Sequence, residues 1–463
     1  MKETQLNLGH LQFTLSVPDD ADVLSMRKAE SVPNPRSEIE KALENPIACL
    51  PLKELVRRRL RKTPNAKAVV VLSDNTRPVP YRGECGILMP VLEHMMEAGL
   101  PPDRIRLLVA TGTHRIMNKQ ELEDMLDPGV FSHGFEIVQH DCRDSGQLVP
   151  LGKTETGDRV QINRVYMESE IRILTGLVES HFMAGVSGGR KSICPGLVDE
   201  SSTQILHGGP ILSSPRARDM ILDGNPVHEE ATRVAKMAGC DIIVNVTLDS
   251  DFKLTGVFAG DLEQALLQAF EKIKTYVTIP VAEQYDIVLS HAGYVGINHY
   301  QAAKGAVLCA PILEHNGICL LAAHHRDRDP IGGENYKRMI RLLGEVGAEL
   351  FLRKILDSSW SFVPEQWEAQ MWAKLFSKIP PENCLTCTLD IPEEDFSWLP
   401  ERDARTVVPK AANLQDLTQK TFDWALAKKK EELGHSPKIA ILSDGPYGIP
   451  QITSCGRARL RRR

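Results

Sequence analysis

No apolar run in the sequence approaches the ~20 residues that cross a bilayer. The opening MKETQLNLGH also lacks the apolar core of a secretory signal, so the expectation is a cytoplasmic protein that engages no membrane. Basic residues are in deficit: 55 Lys and Arg face 61 Asp and Glu, for a formal net charge of -6. That balance provides no electrostatic footprint for nucleic acid and moves small-molecule chemistry up the order. The ten cysteines form no framework. Their only close pair, Cys384 and Cys387 in CLTC, has no second such pair to complete a zinc site, and it is read as a loop pair among otherwise free, buried thiols. Fixed-period repeats are absent. The terminal GRARLRRR is expected to be a solvated, disordered tail.

What is present is enough apolar material, 42% of 463 residues, for two or three ordinary domains. The opening ETQLNLGHLQFTLSVP alternates apolar and polar residues about a Gly-His break, the pattern of a β-hairpin. A polar, proline-punctuated stretch then leads to the helical LKELVRRRLRK. From there the order becomes strand, Gly- or Pro-bearing loop, helix: AKAVVVLSD, NTRPVP, ECGILMPVLEHMMEAG; then RIRLLVAT, GTHR, NKQELEDML. Short β-branched runs followed by helices imply parallel strands with crossover helices. The expectation is an α/β protein of two α/β domains with mostly parallel sheets, residues 1–279 and 280–463, divided at the linker TIPVAEQ. The active site is expected in the cleft between them.

In such sheets ligands bind beyond the carboxyl ends of the strands. Predicted strand-end loops carry Asp74, Thr76 and Arg77 in SDNTRP, His114 in TGTHR, and Gln301 and Lys304 in NHYQAAKG. The segment GLVESHFMAGVSGGRKSICPGLVDESSTQILHGG adds His181, Lys191 and His207, with Gly188 and Gly189 clearing space beside the lysine. Arginine and lysine suit a carboxylate. Histidine has the intrinsic pKa to exchange protons near neutrality and is a common metal ligand. Residue types alone leave three readings open: an enzyme that handles a carboxylate substrate, a zinc-type metallohydrolase built on His114, His181 and His207, and a non-enzymatic nucleotide- or phosphate-binding module.

The ordered motifs DNTRP, ATGTHR, SHFMAGVSGGRKSICPG, ILHGGP, GNPVHEEA, NHYQAAKGA and EQWEAQ resemble those of the nickel-dependent lactate racemases, a family of 2-hydroxyacid racemases and epimerases. The resemblance runs through most of the chain. It implies nickel held in a pincer nucleotide, a pyridinium-3,5-bisthiocarboxylic acid mononucleotide, tethered to Lys191 and supplied by separate maturation enzymes. The nickel ligand would be His207, and Asp74, Thr76, Gly188 and Gly189 would contact the nucleotide. His114 and His181 would be the catalytic pair, while Arg77, Gln301, Lys304 and Trp367 would face a small 2-hydroxy carboxylate. The implied reaction moves the Cα hydride to the cofactor and returns it to the opposite face of the resulting 2-oxo acid. Met183 and the loop LAAHHRDRDPIGGENY depart from lactate-active members, which leads to the expectation of a substrate larger or more polar than lactate. Taken by themselves, His324, His325 and Arg326 read as a solvated loop.

Overall fold

A computed structural model describes residues 1–155, 157–249 and 251–453; the basic C-terminal run lies outside the described residues. The chain divides into two compact units, Lys28–Thr275 and a second made of Met1–Arg27 with the chain from Tyr276 onward. The first of these units ends at Thr275, while the sequence reading places a division at 279/280. The first 27 residues, however, belong with the C-terminal part and not with the adjoining Lys28–Thr275. Strand Asp22–Leu24 pairs in parallel with Ile439–Leu442, and the hairpin Lys2–Asn7/Gln12–Val17 buries Leu6, Leu15 and Val17 among Ile287, Leu417 and Phe422. Period-two alternation marks a strand but not the sheet it joins. TIPVAEQ, expected as a linker, contains strand Thr278–Val281, paired in parallel with Ile449–Ile452.

In Lys28–Thr275 a six-stranded sheet runs in the order Leu254–Gly260, Ile242–Leu248, Ile171–Leu177, Ala68–Ser73, Ile105–Ala110, Glu136–Gln139. All neighbours are parallel except the Leu254–Gly260 edge. The strand earliest in sequence sits in the middle. Later strands add first on one side and then on the other, so the order reverses between Ala68–Ser73 and Ile171–Leu177. Crevices for ligands form at such a reversal, outside the carboxyl ends. The polar stretch before LKELVRRRLRK is partly helical: Asn34 caps Pro35–Glu44, with Pro35 in the first turn, and Ile39 and Leu43 are buried. These two side chains join Val56, Val91 and Met95 in a core against Val70, Ile173 and Val244.

The unit completed from Tyr276 carries a second, all-parallel sheet in the order Arg402–Asp403, Cys384–Cys387, Leu313–Ala322, Tyr285–His291, Ile439–Leu442, Asp22–Leu24. CLTC is therefore a strand within a sheet and not a loop; both its thiols are fully buried. Here the order reverses between Tyr285–His291 and Ile439–Leu442. The buried His291 spans that reversal, its Nε2 donating to the Ser443 carbonyl at 2.8 Å while its Nδ1 accepts from Gly293 N at 3.2 Å. Burial holds its pKa down to about 4, which keeps the ring neutral. No helix among the described residues is long and apolar enough to cross a membrane.

Candidate active site

The first strand of the Lys28–Thr275 sheet delivers Asp74 one residue past its carboxyl end, at the reversal of strand order. The carboxylate is buried and fully used. One oxygen takes the Nδ1–H of His114 at 2.7 Å, and the other accepts from the Thr76 hydroxyl at 2.6 Å and the Thr76 amide at 3.2 Å. Burial pushes the Asp74 pKa up, but the charge and hydrogen bond of His114, with Thr76 and Arg77, outweigh it and hold the group below its ordinary value. With Nδ1 facing a carboxylate, His114 carries its lone pair on Nε2. Its side chain is about one-third exposed, enough to meet a ligand.

Beneath this pair the Tyr81 hydroxyl accepts from Ser73 N at 2.7 Å and pairs with the Thr175 hydroxyl at 2.8 Å. The strand ends on both sides of the reversal are thereby tied together. Burial raises the Tyr81 pKa to about 12, so it remains a neutral structural pin. Arg77 lies against Glu179 at 3.1 Å, bridging the loop after Ala68–Ser73 to the loop after Ile171–Leu177.

That second loop holds His181 in a tight two-residue pairing, Ser180 opposite Val186 and His181 opposite Gly185. Its Nδ1 accepts from the amides of Met183 at 3.2 Å and Ala184 at 3.3 Å. The neutral ring therefore has its proton on Nε2, the opposite tautomer to His114. Gly185 makes this turn possible: its φ is +78°, and a Cβ there would stand 2.2 Å from the Ile221 carbonyl oxygen. Gly185→Ala is expected to cost at least about 3 kcal/mol, left-handed strain plus a steric clash with backbone, read as a lower urea midpoint. An unchanged midpoint would show that the turn can relax.

The segment SGGRKS comes next. Gly188 has φ +74°, and a Cβ on it would lie 2.8 Å from a Val178 methyl. Arg190 is fully buried, with no carboxylate partner among the described residues; it donates instead to the carbonyls of Ala184 at 2.9 Å, Ser187 at 3.1 Å and Gly188 at 3.2 Å. Burial lowers its pKa to about 9, and its charge adds to burial in bringing the neighbouring His228 down to about 4. Arg190 thus clasps the loop between His181 and Lys191. Asn245, buried on the adjacent strand, accepts from Gly189 N at 3.4 Å, while its Nδ2 has no partner among the described residues. An orphaned donor beside a glycine loop suits a bound acceptor.

His207 ends a short helix, Gln204–His207, and is 6% exposed. Its Nδ1–H donates to the Thr203 carbonyl at 3.2 Å, which fixes the ring and places the lone pair on Nε2. Burial, then the charge of Lys191, brings its pKa down to about 3, so the imidazole is neutral and able to ligate a metal across ordinary pH. A lysine close enough to act electrostatically on a pinned, neutral imidazole fits the donor set expected of an amine-tethered group with one histidine ligand. Among the described residues no three His, Cys, Asp or Glu side chains group closely enough to hold a metal ion, so the three-histidine zinc site gains no support.

Gln301, Lys304 and Trp367 lie in the other unit. Asn298 caps helix His299–Val307 by accepting from Gln301 N at 2.9 Å, and Lys304 Nζ donates to Gln301 Oε1 at 2.6 Å. Trp367, 4% exposed on helix Gln366–Phe376, donates from Nε1 to the Tyr300 hydroxyl at 2.7 Å. The structure therefore groups the sequence-derived residues in two sets, Asp74 to His207 in one unit and these three in the other. The reading of 324–326 as solvated needs correction: His325 is buried, its ring donating to the Gly296 carbonyl at 3.0 Å and its amide to Asp390 at 2.8 Å. The sequence reading missed Arg190, Tyr300 and Asn245. Only Asn245 was signalled, as a lone amide inside the apolar run DIIVNVTLD.

A doubly wound sheet with a histidine–aspartate pair and a second pinned histidine beyond its strand ends has the groups that proton transfer needs. Residues 8–219 match the family model described as the lactate racemase N-terminal domain. The chain is 31% identical over 408 residues to the lactate racemase of Lactiplantibacillus plantarum, covering 88% of this chain and 89% of that one. To the lactate racemase of Thermoanaerobacterium thermosaccharolyticum it is 30% identical over 381 residues, 81% and 86% of the two chains. The structure of the lactate racemase apoprotein from the latter organism superposes with a TM-score of 0.82 at 27% identity, covering 97% of this chain and all of that one. The chain belongs to the lactate racemase family and, as such, is an isomerase.

Proposed function

We propose that the protein racemises or epimerises C2 of a 2-hydroxy acid by reversible hydride transfer, with His114 and His181 exchanging the hydroxyl proton. The observation that supports this best is the pair of opposed tautomers: His114, backed by Asp74, has a basic Nε2, while His181, its Nδ1 filled by two amides, keeps a proton on Nε2. Inversion needs one group to take a proton and another to give one, with roles exchanged in the reverse direction. The 2-oxo acid in between is planar and open on both faces.

Lys191 is the proposed tether and His207 the nickel ligand of the pincer nucleotide, with Asp74, Thr76, Gly188 and Gly189 beside the nucleotide. When bound, that group accepts a hydride and returns it. Arg77, Gln301, Lys304 and Trp367 are assigned to the substrate, the cations holding its carboxylate; Arg77 would then share its guanidinium between substrate and Glu179. Maturation enzymes as partners and a cytoplasmic location complete the reading.

The test is racemisation of 2-deuterated acids by protein matured with those enzymes. Deuterium is expected to stay largely on Cα as optical rotation falls; rapid washout into solvent would mean Cα deprotonation and end the hydride reading. His207→Ala is expected to lose nickel in dialysis far more readily than His114→Ala or His181→Ala, as metal analysis would show. Equal loss from all three would return the three-histidine site.

A further inference from the structure

We propose that His10 and Arg326, set against Tyr294, form with His324 beside them a subsite for a second anionic group on the substrate, a distal carboxylate. This rests on the 2-hydroxy acid reading and narrows it to a class, the 2-hydroxy diacids. The group stands at the carboxyl end of the second sheet: Tyr294 lies three residues beyond strand Tyr285–His291, at the reversal of strand order, and His324 and Arg326 come just after the neighbouring strand Leu313–Ala322. His10 comes from the tip of the N-terminal hairpin. Its ring centroid is 4.8 Å from that of Tyr294, and the Arg326 guanidinium lies 5.6 Å from the same ring. Stacking on the ring fixes the guanidinium; its Nη2 also donates to the Tyr294 carbonyl at 3.4 Å, and the remaining in-plane donors are left for a ligand.

The loop that bears His324 and Arg326 is fastened to the segment that bears Gln301 and Lys304. Asp327 N donates to Ile297 O at 2.9 Å, His299 N to Pro330 O at 2.8 Å and Tyr300 N to Ile331 O at 3.0 Å. The buried His325 ring bonds Gly296 O, and Asn298 Nδ2 bonds Asp327 at 3.2 Å. Arg326 and His324 therefore hold a fixed position relative to the helix that starts at His299.

The cluster also lacks a counter-charge. Among the described residues Arg326, His10 and His324 make no ion pair. The nearby acids are engaged elsewhere, Asp327 with Asn298 Nδ2 and Arg328 N, Asp390 with His325 N and the Thr388 hydroxyl. Burial, then the charges of Arg326 and His324, push the His10 pKa below its ordinary value, and burial lowers that of Arg326. A guanidinium held with two histidines and no carboxylate partner among the described residues offers donors to an anion. Lactate, whose tail is a methyl group, offers none.

Calorimetry on the purified protein with malate, lactate and inorganic phosphate separates the possibilities. Malate is expected to bind roughly 10- to 100-fold more tightly than lactate, the scale of a charged hydrogen bond. Arg326→Gln, an exposed position where folding is not at stake, is expected to bring malate to the affinity of lactate and leave lactate unchanged. Equal binding of the two acids by the wild type, or a malate affinity indifferent to Arg326→Gln, would overturn the subsite. Phosphate binding as tightly as malate and equally sensitive to the variant would make this a site for a free anion and also overturn it. Racemisation by matured protein is scored separately: a diacid preference in binding with neither acid racemised would sink the reaction reading and leave the subsite standing.

Discussion

His114→Ala is expected to slow racemisation by about 10²- to 10⁴-fold in both directions, the contribution typical of a positioned general acid–base group. The loss should appear in kcat more than in KM, because the ring acts on a proton in flight and not on the carboxylate. Asp74→Asn separates orientation from mere presence of the imidazole. An asparagine there can offer an amide N–H where a carboxylate accepted one, and so would favour the tautomer with Nε2 protonated and no longer basic. The variant should keep its fold, since the Thr76 contacts need only an oxygen. Its rate should nevertheless fall most of the way toward that of His114→Ala. Wild-type kinetics in Asp74→Asn would show that His114 needs no partner and would remove it from the proton path.

Glu401→Leu is expected to cost about 1–3 kcal/mol of stability, because it leaves the buried His299 Nε2–H without an acceptor. Glu401 and His299 are both fully buried, with Nε2 donating to Oε1 at 2.7 Å. On the other side of the ring the Tyr336 hydroxyl donates to Nδ1 at 2.7 Å, and the same oxygen accepts from Trp372 Nε1 at 3.0 Å. Trp372 also stacks on His299, 5.0 Å between centroids and 8° from parallel. Indole, phenol, imidazole and carboxylate form one directional chain in which each donor has an acceptor. Tyr336→Phe leaves two polar groups buried without a partner and should cost about 1–3 kcal/mol. Both losses are read from urea midpoints. His299 begins the helix carrying Gln301 and Lys304, so Tyr336→Phe should also raise KM for the acid. A KM unchanged beside a lowered midpoint would confine the chain to a purely structural role.

Strong periodicity made much of this legible. AVVVLS, IRLLVA and IRILTGL are apolar on both faces because helices cover both sides of a parallel sheet, and the loops after them carried the polar residues that the structure sets beyond the strand ends. Pairing was less visible. Nothing in DNTRP and TGTHR says that Asp74 and His114 meet, because two loops forty residues apart converge only once two strands lie side by side. The sheet membership of Asp22–Leu24 is settled by a partner more than four hundred residues away, and the burial of His325 by a carbonyl on another loop. Arg190 escaped notice for a different reason. An arginine beside a functional lysine reads as surface charge, and only the folded loop shows it buried and bound to three carbonyls.

The chain enters and leaves Lys28–Thr275 at neighbouring points, Arg27 N bonding Tyr276 O at 2.9 Å, and this sets an order of assembly during synthesis. Every strand of the inserted unit has been made by Gly260, so that unit can close while the rest of the chain is still emerging. The surrounding unit cannot. The strand Asp22–Leu24 waits for its partner Ile439–Leu442, and at about 5–20 residues per second the wait after Thr275 is on the order of eight to thirty-five seconds. Until Leu417, Phe422 and Ile441 are made, the core that takes Leu6, Phe13, Leu15 and Val17 is incomplete. The N-terminal hairpin, made long before the strands and helix that cover it, is where nascent-chain chaperones would be needed.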